Sequence, residues 1–90
     1  MELRTASSPK DVKYYTTQRL REEFLIDDLF GPDEIKMVYS HIDRIITGSA
    51  VPVKGVLTVT AGEELRAEYF LERREMGVIN IGGKGTVTVD

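Results

Sequence analysis

Cysteine is absent from the chain, which excludes disulfides and thiolate metal sites together and suits a reducing compartment. Histidine is nearly absent: there is one imidazole, His41. Catalytic zinc and iron sites commonly take two or three imidazoles with a carboxylate, so one copy of this chain cannot build such a centre from its own side chains. Only a symmetric assembly gathering several copies of His41 on an axis would evade that count. Positive charge is short as well. Twelve Lys and Arg against fifteen Asp and Glu give a net charge of −3, the wrong sign for tracking a phosphate backbone, where Lys and Arg displace counterions. Nucleic acid is not an expected partner. No uninterrupted apolar run could cross a bilayer, and Met1 to Pro9 lack the apolar core of a secretion signal. The expected setting is soluble and cytoplasmic, with no membrane partner. Internal repeats and low-complexity linkers are absent too.

What remains is ordinary globular material: 90 residues, 41% hydrophobic and 30% charged, which allow one domain at most. A domain of this size buries only about 60 to 65% of the surface its unfolded chain exposes, so a thin core is expected. The most explicit local pattern lies near the end. Two segments, Met76 to Ile81 and Thr86 to Asp90, flank the run Gly82-Gly83-Lys84-Gly85 and predict a β-hairpin whose glycines supply positive φ. Val87 and Val89 fall on one face, with Thr86, Thr88 and Asp90 on the other. A last strand with an open edge reads as the opening part of something larger.

In chain order, Ser8 followed by Pro9 and then Asp11 predicts a short helix with a hydroxyl cap and proline at its first position. Thr17 is expected to cap a second helical segment over about residues 18–24, with Leu20 and Phe24 on one side and Arg19, Arg21, Glu22 and Glu23 solvated. Phe24 to Phe30 reads as a strand that Gly31-Pro32-Asp33 ends. Ile35, Met37 and Tyr39 repeat with period two, and Arg44 to Thr47 is a second β-branched run. Val56 to Thr60 alternates, Leu57 and Val59 facing one way, before Ala61 to Glu64 turns the chain toward a strand over Tyr69 to Leu71. The expected fold class is mainly β: a short helical prelude over 1–25, then an antiparallel partial barrel or sandwich over 26–90.

Three constellations invite chemistry. Gly82-Gly83-Lys84-Gly85-Thr86 holds the parts of a phosphate loop in the wrong order, because Gly85 separates Lys84 from Thr86 and a strand is expected to follow. A hairpin loop is the better reading. His41, Asp43 and Arg44 gather the one imidazole with an acid and a guanidinium. In an extended backbone His41 and Asp43 share a face, so Asp43 could orient the ring as a general base; a polar network at a turn or subunit contact is the plainer reading and the favoured one. Arg73 and Arg74, flanked by Glu72 and Glu75, could hold a carboxylate, although a charge run at a strand end is more often a solvated face.

The runs Leu20-Arg21-Glu22-Glu23-Phe24-Leu25, Met37-Val38-Tyr39-Ser40-His41-Ile42-Asp43-Arg44-Ile45-Ile46 and Tyr69 to Gly83 closely resemble the N-terminal part of the 5-keto-4-deoxyuronate isomerase family. That resemblance implies a longer, hexameric protein of two cupin-like, jelly-roll type halves, with residues 26–90 as the first part of an incomplete N-terminal cupin-like domain. It implies conversion of 5-keto-4-deoxyuronate to 3-deoxy-D-glycero-2,5-hexodiulosonate in pectin breakdown, an aldose to ketose shift through an enediol. The zinc of the intact protein is implied to sit on three histidines and a glutamate of the C-terminal half, none of which exists here. No metal is expected on this chain, which is expected to be scaffold and inactive alone. The alternative is a non-catalytic module that binds a sugar acid or serves assembly, using Arg73, Arg74 and His41.

Overall fold

A computed structural model describes residues 1–89, in two compact units, Met1–Val59 and Thr60–Asp90. The first contains β1 (Glu2–Arg4), α1 (Pro9–Val12), α2 (Thr17–Phe24), β2 (Ile35–Ser40) and β3 (Ile45–Ala50). The strands form one sheet in the order β1-β2-β3. β2 and β3 pair antiparallel, from Ile35 opposite Ala50 to Ser40 opposite Ile45. β1 pairs parallel to β2, with Glu2 opposite Val38 and Arg4 opposite Ser40. The sheet is therefore mixed, a correction to the antiparallel expectation. β1 was not expected at all, and α1 and α2 lie in the long crossover that a parallel pair requires.

Both helices begin on capped turns. The Ser8 hydroxyl accepts from the Lys10 amide at 3.3 Å, with Pro9 at the first helical position. The second cap is Thr16 and not Thr17: its Oγ1 accepts from the Arg19 amide at 3.2 Å. On the solvated side of α2, Arg19 lies 3.8 Å from Glu23 and 4.1 Å above the Tyr15 ring, and Gln18 donates to Glu22 at 3.2 Å. Replacing Thr16 by Ala is expected to lower stability by about 1 kcal/mol, whereas Thr17→Ala stays within about 0.5 kcal/mol. Urea midpoints measure both, and equal losses would contradict this cap.

The expected strand over Phe24 to Phe30 does not form. α2 runs through Phe24, and the following segment is a strap whose carbonyls accept from side chains of all three strands. Arg4 of β1 donates to the Leu25 carbonyl, Lys36 of β2 to the Asp28 carbonyl at 3.0 Å, and Ser49 of β3 to the Leu29 carbonyl. By the registers, Arg4, Lys36 and Ser49 point to one sheet face, together with Val38 and Thr47. The strap thus crosses the row containing Val38, the one buried hydrophobic residue among those described, at 5% exposure. A hydrophobic run can satisfy its backbone in this way without a ladder. The period-two residues Ile35, Met37 and Tyr39 lie on the opposite face and are half-buried.

Gly31-Pro32-Asp33 does turn the chain. Asp33 adopts φ 55°, its amide donates to the Val51 carbonyl at 2.7 Å, and its Oδ1 accepts from the amides of Val53 and Lys54 at 2.7 and 2.8 Å. Gly48 is needed for close approach: a Cβ there would stand 2.7 Å from Met37 Cγ and 2.9 Å from the Lys36 carbonyl oxygen. Val56 to Thr60 forms no strand, yet Leu57 and Val59 are half-buried and their neighbours exposed, as the alternation implied.

In the second unit the regular element is a 3₁₀ turn, Glu63–Leu65, closed by Arg66 in a left-handed conformation. Tyr69 to Leu71, expected as a strand, lies in a turn in which the Glu72 amide donates to the Tyr69 carbonyl at 3.2 Å. The expected hairpin is not formed among the described residues. What is present is a local turn at Asn80, whose Oδ1 accepts from the Gly82 amide at 3.0 Å and whose Nδ2 donates to the Gly83 carbonyl at 3.1 Å. The flanking segments form no ladder among the described residues, and Asp90, the last residue of the expected strand, lies outside them. No described glycine has positive φ, another departure from expectation. An isolated two-stranded ribbon is marginal in water, and Ile79, Ile81, Val87 and Val89 are exposed, with no burial to favour one. The coarse reading stands: mainly β, behind two short helices.

Candidate functional site

His41, Asp43 and Arg44 all lie in the turn between β2 and β3 and are exposed. The His41 amide extends the parallel ladder, donating to the Arg4 carbonyl at 2.8 Å. Its ring meets Tyr39 edge-on, centroids 4.7 Å apart at 62°, a contact worth about 0.5–1.5 kcal/mol. Arg44 closes the turn at φ 54°. The shared face expected for His41 and Asp43 is not realised, because that period applies only to extended chain and here the chain turns. Among the described residues no hydrogen bond or ion pair joins His41 to Asp43 or Arg44. A carboxylate partner would set the tautomer and orientation of an imidazole base; the ring here meets an aromatic edge instead.

The second unit offers a shallow open depression. Its wall is the 3₁₀ turn, with the Leu65 amide on the Gly62 carbonyl and the Arg66 amide on the Glu63 carbonyl, both at 3.2 Å. Its other side is the 68–72 loop, closed by Glu72 Oε2 accepting from the Glu68 amide at 3.3 Å. Arg66 and Arg73 face Glu63, Glu68 and Glu72 around it. Sequence reasoning singled out Arg73 and missed Arg66, which only the turn brings alongside. Arg73 lies 4.0 Å from Glu72 and its side chain is 72% exposed, so that pairing is weak and releasable. Arg74 is half-buried and engaged, and it does not line the depression. Two arginines against three glutamates leave the rim with an acidic excess, which disfavours an anionic ligand.

The residues present do not fit the zinc implied by the resemblance. Three imidazoles cannot come from one His41, and no group of three His, Asp or Glu able to hold a metal occurs among the described residues. Nor is any described helix long and apolar enough to cross a membrane.

Comparison with known proteins extends the family likeness to the entire chain. It is 81% identical over 90 residues to the 4-deoxy-L-threo-5-hexosulose-uronate ketol-isomerase of Lachnoclostridium phytofermentans, matching 100% of this chain and 33% of that protein. It is 59% identical over 90 residues to the protein of the same name from Halalkalibacterium halodurans, again 100% and 33%. To that of Lachnospira eligens it is 58% identical over 90 residues, 100% of this chain and 32% of the other. The chain therefore spans about a third of the length of the curated relatives it matches. No protein-family model matches it.

Proposed function

We propose that this chain is the N-terminal part of a ketol-isomerase of uronate catabolism, contributing framework and subunit contact while the reacting groups lie elsewhere. The observation that carries the reading is identity of 81% across every residue of the chain to a protein named for that reaction. The substrate is 5-keto-4-deoxyuronate and the product 3-deoxy-D-glycero-2,5-hexodiulosonate, as in pectin breakdown. The reaction moves a proton between adjacent carbons. Among the described residues no carboxylate bonds His41, and Arg73 sits beside Glu72, which supports placing the proton-transferring base in the remainder of the protein. The zinc ligands belong there too, since the one imidazole present cannot supply them.

The intact protein on this reading is a cytoplasmic homohexamer of cupin-like halves, of which residues 26–90 open the first. The mixed sheet of the first unit, and segments 76–81 and 86–89 that join no ladder among the described residues, suit an incomplete domain. A free-standing sugar-acid module is less well supported, because the rim around Arg66 and Arg73 carries more glutamate than arginine.

The purified 90-residue chain is expected to show no isomerase turnover above buffer and no stoichiometric metal. Turnover is expected to return when the chain replaces the matching third of the Lachnoclostridium phytofermentans protein. Turnover by the isolated chain, with metal bound, would overturn the assignment of framework.

A further inference from the structure

We draw no further inference here: the strongest candidate, the open cleft at the corner between α1 and α2 lined by Asp11, Tyr14, Tyr15, Thr16 and Arg19, carries nothing, because Arg19 is already engaged by the Tyr15 ring and Glu23 and nothing in the structure points to a ligand for it.

Discussion

Val38→Asp is expected to unfold the first unit at 25 °C, with loss of the cooperative urea transition, while Val56→Asp leaves that transition in place. Val38 is 5% exposed and Val56 94%. A unit of this size holds only about 3 to 9 kcal/mol of stability. Removing Val38 from the core forfeits about 1.5–3 kcal/mol of burial, and a carboxylate placed there without a partner costs several kcal/mol more. Its neighbours in the row, Glu2 and Thr47, offer no cation, Glu2 adds like charge, and the two cations on the same face are already engaged, Arg4 by Glu2 and the Leu25 carbonyl and Lys36 by Asp28 and Glu34. Val38→Ala keeps the fold and loses about 1.6 kcal/mol, two methyl groups' worth. Matching urea midpoints for Val38→Asp and Val56→Asp would show that the core lies elsewhere.

The elements that were legible in the sequence are those whose signals are local. Ser8-Pro9 marks a helix start because its hydroxyl and missing N–H act within one turn. β2 and β3 were legible because period two over Ile35 to Tyr39 and a β-branched run at Ile45 answer each other across a short turn. β1 was not: Glu2–Arg4 is three residues, too short for a period, and its partner lies beyond both helices. Phe24 to Phe30 reads as a strand because a hydrophobic run does not reveal what its carbonyls bond to, and the run is not buried either, with Phe24, Leu25 and Phe30 exposed. Its carbonyls take Arg4, Lys36 and Ser49 instead of a neighbouring strand. The positive φ expected of glycines went to Asp28, Asp33, Arg44 and Arg66. Asp33 is accounted for by its carboxylate bonding the Val53 and Lys54 amides; nothing in the structure explains the choice of Arg66.

At the site, counting was more informative than patterning. One imidazole limits the metal chemistry of the chain whatever its fold, and that follows from composition alone. The grouping of His41 with Asp43 failed because a strand's period was carried past the strand's last residue, Ser40. Arg73 beside Glu72 followed from adjacency, whereas Arg66 reached the same depression through a left-handed turn that no spacing announces.

The strap yields the second large effect. Arg4→Met combined with Lys36→Met removes two charged donors from the Leu25 and Asp28 carbonyls while keeping most of the apolar stems. Charge-assisted bonds of this kind contribute about 1.5–3 kcal/mol each, but the Lys36 side chain is 29% exposed and Arg4 13%, and water replaces part of what is lost. The double variant is accordingly expected to lose about 2–4 kcal/mol. A general loss of surface charge would give a smaller change without regard to Val38. Coupling tells the two apart. If the strap covers Val38, its release uncovers that side chain, and Val38→Ala then costs at least about 0.5 kcal/mol less in the strap-released background than in the parent. Urea midpoints of the four proteins close the cycle. Full additivity would mean that the strap is tied to the sheet without shielding its one buried valine.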